Sequence, residues 1–301
     1  YMNRTSGNIG LFSIVGEDGT IHNLTVTGVN ITADDFSGGV VGINNGTLRN
    51  VSIDGDVTSF NKSEMKGIGG LVGQNNNDGT VQKAIADVTT SGFQYVGGLV
   101  GKNNGTVKHS IAHGDVSGSE SVGGLVGITG WIETTGTIEQ SSASGDVTGN
   151  AAVGGLAGQN FNSVLNTSSA NGTVTGDRYV GGLAGVAVGG QITDASASAT
   201  VAGTTSVGGL VGANGAQGQP GSTITNASAS GTVSVPDDAE PTEYVAGLVG
   251  QMYLGNITRS SASGTVDAPD ATHVGGLVGY ADGTESNNRR VRTIRESYAT
   301  G

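Results

Sequence analysis

Aliphatic and small residues recur along this chain in short alternating runs, and one tetrad, Gly-Leu-Val-Gly, punctuates them. It occupies positions 70–73, 98–101, 124–127, 209–212, 247–250 and 276–279. Gly-Leu-Ala-Gly stands at 155–158 and 182–185, Gly-Val-Val-Gly at 39–42, and a worn copy begins at Gly10-Leu11. The central residues of these ten tetrads lie 26 to 31 apart, with one gap of 38. A unit that returns at near-constant spacing is one supersecondary element stacked on copies of itself. Each tetrad is followed by a polar turn and a second motif, for example Gly105-Thr106-Val107-Lys108-His109-Ser110-Ile111-Ala112. Counted from its first aliphatic residue, small or apolar residues fall at +3 and +5, Gly usually at +7 and Val at +9. The +5 column reads Val26, Ile53, Ala86, Ala112, Ala143, Ala170, Ala197, Ala229, Ala262 and Ala299. Alternation with period two marks strands with one buried face, whereas a helix needs period 3.6.

The expected fold class is all-β: a parallel β-solenoid of about ten turns, 26–31 residues per typical turn, forming one domain over residues 1–301. Turns stacked about 4.8 Å apart make a rod of roughly 48 Å. Propeller blades need about 40–50 residues each, so these units are too short for that fold. Longer excursions at 128–135, 213–222, 234–243 and 280–292 are expected at turns. Asn44-Asn45-Gly46, Asn76-Asn77-Asp78-Gly79 and Asn103-Asn104-Gly105 join the two motifs, where Asn and Gly suit left-handed backbone angles. Within the tetrad strand, Val96 and Leu99 fall on opposite parities. Either a strand buried on both faces or a glycine bulge would produce that pattern. Shrinkage of the +3 and +5 columns from Leu24/Val26 to Ser and Ala implies a core that narrows along the axis.

Composition supports a thin core. Glycine supplies 56 of 301 residues and the aromatics only 13, too few rings for a thick globular interior. The net charge of −12 disfavours nucleic-acid binding, which needs a basic stripe. It suits a soluble, self-repelling surface. Cysteine is absent, so no disulfide contributes and the redox clue to compartment is silent. No apolar run is long enough to span a membrane as a helix. The chain opens at Tyr1 without a signal-peptide pattern, as expected of a mature product or an excerpt of a longer protein.

Val96-Gly97-Gly98-Leu99-Val100-Gly101, followed by Gly105-Thr106-Val107 and Ser110-Ile111-Ala112, resembles the GLUG repeat family, and the likeness runs through all ten units. The resemblance implies an extracellular, non-catalytic β-rich stalk or adhesive region of a secreted or surface-anchored protein. It carries over no catalytic residue, because the family motif has none.

Several constellations could bear chemistry. Asn-X-Ser/Thr occurs at Asn3, Asn23, Asn30, Asn45, Asn50, Asn61, Asn104, Asn166, Asn171, Asn226 and Asn256. That is about double the roughly five expected by chance for this glycan-acceptor tripeptide. Asn-Gly-Thr as a repeated turn explains Asn45, Asn104 and Asn171 equally well. Asp18, Asp78 and Asp282 are single carboxylates where calcium needs six to eight oxygens, and His22, His109, His113 and His273 do not cluster. The paired acids Asp237, Asp238 and Glu240 with Asp267 and Asp270 are the nearest approach to a glycosidase pair. Trp131, Tyr253 and Tyr280 sit in or near loops. The column Asp56, Asp115, Asp146, Thr173, Thr200, Thr232 and Thr265 is too charged to order ice. Phe36, Tyr95, Tyr179 and Tyr244, with His273, recur four residues before the central Leu and offer a lateral contact. Arg289, Arg290 and Arg292 offer an end contact with an acidic neighbour.

These features describe an extracellular structural or adhesive repeat protein, not an enzyme, with no cofactor and no metal. It is either a stalk or adhesin region, or a filament subunit adding end to end through β-edges. Its partners are itself, other surface proteins or glycans. A polysaccharide-binding or polysaccharide-degrading β-helix is the alternative.

Overall fold

The computed structural model describes residues 2–4, 7–33, 36–60, 66–131, 133–236, 243–282 and 293–301, without the side chains of residues 3 and 4. They form strands and turns, with no helix. One coil gives the plan. Gln94–Gly97, Val100–Asn103, Thr106–Lys108, Ile111–Ala112 and Val116–Ser117 follow in order. Each pairs in parallel with its counterpart one coil further on. The first segments of all coils make a leading sheet of nine strands, the second a tetrad sheet of ten, and the last three a wide sheet of 25. The chain is therefore a parallel β-solenoid.

Register preserves the sequence columns. Val26 pairs with Ile53, Ile53 with Ala86, Ala86 with Ala112, and the alanines continue in register to Ala299. The tetrad leucines Leu71, Leu99, Leu125, Leu156, Leu183, Leu210 and Leu248 stack with no exposed surface. Burying each such side chain stabilises the fold by about 1.5–3 kcal/mol. The first tetrad glycine faces the alanine column: a Cβ on Gly98 would lie 3.2 Å from the Ala112 Cβ and 2.2 Å from the Gly124 carbonyl oxygen. Alanine opposite glycine is what holds the core thin.

The tetrad itself is neither a doubly buried strand nor a bulged one. Strand Gln94–Gly97 ends before it and Val100–Asn103 begins inside it, so Gly98 and Leu99 form a turn between two sheets. Leu99 N and Val100 N both point along the axis, and both Leu125 N and Val126 N donate to the single carbonyl of Leu156. The opposite parity of Val96 and Leu99 comes from this change of direction. Leading and tetrad sheets then fold back closely on one another. A Cβ on Gly101 would sit 2.3 Å from Ile68 N, so nothing larger than glycine fits.

The Asn-Gly turns also differ from expectation. None of their Asn or Gly residues at 44–46, 76–79 or 103–105 has positive φ. Glycine is required there for close approach, since a Cβ on Gly105 would lie 2.2 Å from Gly79 O. Apart from Asn162 and the glycines, the left-handed residues occupy two other columns. One turns the wide sheet: Asn23, Asn50, Lys83, His109, Gln140, Thr167, Asp194, Asn226, Arg259 and Glu296, with φ of 46–55°. The other opens the leading sheet: Tyr95, Ser121, Ala152, Tyr179, Ser206 and Tyr244, with φ of 50–59°. Left-handed geometry costs an L-residue about 1–2 kcal/mol. Hydrogen bonds that continue through the corner, such as His109 N to Glu139 O at 3.0 Å, offset that cost.

Two internal polar ladders brace the coils. Asn44 Nδ2 donates to Asn75 Oδ1 and Asn75 Nδ2 to Asn103 Oδ1, each at 2.8 Å, and Asn103 Nδ2 reaches Thr129 Oγ1 at 3.0 Å. In the +3 column, Ser110 Oγ accepts from Ala84 N, Ser141 Oγ from Ser110 N and Ser168 Oγ from Ser141 N, at 3.1–3.2 Å. Each of these hydroxyls also donates to the carbonyl two residues before it, at 2.8 Å. The shrinkage of +3 to serine thus adds hydrogen bonds between coils.

The excursions are shorter than the sequence implied. Ile128 and Thr129 complete strand Val126–Thr129, so the first begins at Gly130, where Trp131 bridges Thr134. Val211–Asn214 likewise absorbs the start of the second, leaving 215–222, pinned by bridges Ala216–Gln219 and Val188–Gly221. Ser234 and Glu243 end and begin strands, and Tyr280 and Ala281 belong to Val278–Ala281. Most of those last two loops lies outside the described residues.

Candidate contact surface

The aromatic column gathers at the corner where the left-handed residues open the leading sheet. Tyr95, Tyr179 and Tyr244 all adopt positive φ. The corner nests on the last glycine of the next tetrad: Cβ atoms on Gly127 and Gly212 would lie 2.4 and 2.5 Å from the Tyr95 and Tyr179 carbonyl carbons.

Two clusters result. In the first, Tyr95 is buried and Trp131 meets it edge-on, with ring centroids 6.3 Å apart. Phe161 tilts against the other side of Trp131 at 5.9 Å. Lys102 places its Nζ 5.2 Å from the Tyr95 ring centre, 5.8 Å from Phe36 and 5.9 Å from Trp131. Lys66 lies over the far ring, 5.1 Å from the centre of Phe36. Burial pushes the Lys102 amine below its ordinary 10.5, and the charge of Lys66 adds to the shift. Burial and the nearby Glu120 carboxylate raise the Tyr95 phenol above 10. In the second cluster Tyr244 contacts Tyr280 at 4.7 Å and His273 at 5.1 Å. Tyr179 carries Arg178 over its ring at 5.9 Å. Burial raises the Tyr253 phenol above 10, and Tyr179 and Tyr280 lie close enough to add to the shift. The expected lateral row is therefore two clusters. In the first, the loop residue Trp131 and the strand residue Lys102 matter as much as the column itself. Nothing in the sequence pattern linked Trp131, in an excursion, to a column one coil away.

The remaining candidate residues disperse. Asn23, Asn30, Asn50, Asn171 and Asn226 are exposed, and Asn45, Asn104, Asn166 and Asn256 half-buried. Asn50 Nδ2 donates to Asn23 Oδ1 at 2.7 Å, and Asn226 bonds Asp194, so these amides already serve the corner column. Asn61, the side chain of Asn3, and Arg289, Arg290 and Arg292 lie outside the described residues, as do Asp237, Asp238 and Glu240. Asp267 and Asp270 are exposed. Asp115 and Asp146 cap backbone: their Oδ1 atoms accept from Asp146 N and Thr173 N at 2.9 and 2.8 Å. His113 pairs with Ser144 Oγ at 2.8 Å. Among the described residues no three His, Cys, Asp or Glu converge as a metal site would require, and no helix is long and apolar enough to cross a membrane.

The family model of the GLUG motif matches residues 118–148, 176–202 and 203–234. Halomucin of Haloquadratum walsbyi is 42% identical over 81 residues, which are 27% of this chain and 1% of that protein. A putative Gly-rich membrane protein of Evansella cellulosilytica is 43% identical over 58 residues, 18% of this chain and 7% of the relative. The chain thus spans a small fraction of the length of the curated relatives it matches. No solved structure matches it. The matched segments are consecutive or near-consecutive coils of one register-locked spiral, and the chain carries GLUG repeats.

Proposed function

We propose that this chain is a stiff, non-catalytic rod within an extracellular surface protein. The continuous register carries this reading: the +5 column pairs coil on coil from Val26 to Ala299, and the tetrad leucines from Leu71 to Leu248 are wholly buried. Each coil braces its neighbours through hydrogen bonds along the axis, so the stack resists bending. The GLUG repeats and the likeness to halomucin support a surface setting. Adhesion through the loops and assembly into a filament are both compatible with such a rod. Small-angle scattering and electron microscopy test the reading: a straight particle roughly 48 Å long is expected from about ten stacked turns, and a compact sphere or a jointed, flexible particle would overturn it.

A further inference from the structure

Asn-Gly occurs four times, at Asn45-Gly46, Asn104-Gly105, Asn171-Gly172 and Asn214-Gly215. This dipeptide is prone to modify itself, because a glycine nitrogen with no Cβ beside it can reach the preceding side-chain amide. The fold restrains three of the four. Asn214 is fully buried, its amide exchanges two hydrogen bonds with Ser222, and Gly215 N donates to Ala187 O at 2.7 Å. Asn45 Oδ1 accepts from Asn76 Nδ2, its Nδ2 donates to Val15 O, and Gly46 N donates to Asn44 Oδ1. Asn104 Oδ1 accepts from Thr134 Oγ1, and Gly105 is buried where a Cβ would lie 2.2 Å from Gly79 O. Asn171 differs. It is exposed, and among the described residues neither its side chain nor Gly172 N makes a hydrogen bond. Bonds from Asn171 N to Ala143 O at 3.0 Å and from Thr173 N to Asp146 Oδ1 at 2.8 Å hold the chain on either side, with the Gly172 nitrogen unengaged between them.

We propose that Asn171-Gly172 is a self-deamidation site that changes the charge and the chain path of its coil. Gly172 N attacks Asn171 Cγ. The N–Cγ bond forms, the Cγ–Nδ2 bond breaks, and Nδ2 leaves as ammonia with the proton from Gly172 N. Water then opens the cyclic imide. Opening at Cγ gives aspartate. Opening at the main-chain carbonyl carbon gives isoaspartate, which routes the backbone through the side chain and lengthens it by one carbon. The neighbouring coils place Ser144 and Ser198 in this column, directly after the paired alanines Ala143, Ala170 and Ala197. A longer main chain here displaces two register-holding bonds, Thr173 N to Asp146 Oδ1 and Thr200 N to Gly172 O.

The full chain is aged at mildly alkaline pH, and peptide mapping by mass spectrometry reads aspartate and isoaspartate at each of the four steps. Asn171 should convert about ten-fold or more faster than Asn45, Asn104 or Asn214, since those must first break bonds or leave a packed site. In denaturant all four should convert at similar rates, and a free peptide spanning 168–174 supplies the unrestrained rate. The melting temperature of the aged chain should fall as isoaspartate accumulates. Asn171→Ser, which matches its column neighbours, should hold its melting temperature through the same ageing. Equally fast conversion at another Asn-Gly step, an intact Asn171 after the free peptide has converted, or the same preference for Asn171 in denaturant would each overturn the site. A melting temperature unmoved by isoaspartate would overturn its effect on the coil.

Discussion

Glycine at Gly98 is held by distance, with no demand on φ, because the space a side chain would need belongs to Gly124 O. Gly98→Ala should therefore cost about 3 kcal/mol or more, as the neighbouring coil has to shift. Gly16, where an added Cβ meets nothing within 4 Å, is the control. Gly16→Ala should change stability by no more than about 0.5 kcal/mol, and chemical denaturation compares the two. Lys102 offers a test of another kind. Its folded-state amine titrates below 10.5, through burial first and Lys66 second. The unfolded chain then holds more protons between the two titration points, so this residue's contribution to stability rises with pH through that window. NMR titration of the Lys102 side chain should show the lowered midpoint, and Lys66→Gln should move it back toward 10.5.

Among elements, the internal asparagine column is the one whose role the pattern concealed. Asn44-Asn45-Gly46 and its repeats look like turn chemistry, and their composition is that of turns. In the folded chain Asn44, Asn75 and Asn103, the last residues of their tetrad strands, are fully buried and bonded to the coil above or below. Asn75→Ala strips partners from Asn44, Asn103 and Gly79 O, at about 1–3 kcal/mol for each group left unmet. Asn160 lies in the same column, but its Oδ1 has no partner and its Nδ2 makes one long bond, 3.5 Å, to Ser163 O. Asn160→Ala should be the milder change, and paired thermal melts would show the difference. Corners follow the same logic. Residues as unlike as Lys83, His109 and Thr167 share left-handed geometry because the stacked hydrogen bonds demand it, and no residue preference announces it.

For the whole molecule, the period of the tetrads was enough to read a solenoid and the alignment of the alanine column. Short-range alternation records which side of each strand faces inward, and equal spacing places like residues above one another. Those are one-dimensional quantities, and the sequence by itself determined them. Where the chain turns is decided by coil-to-coil contact: the Gly98-Leu99 bend, the two left-handed columns and the inward rotation of Asn75 depend on backbone atoms 26 to 31 residues away. The convergence of Trp131, Tyr95 and Lys102 is likewise tertiary, since a loop from one coil covers the corner of its neighbour. A periodic sequence fixes what is stacked. Only the three-dimensional packing fixes which irregular residues meet, because insertions carry no period to place them.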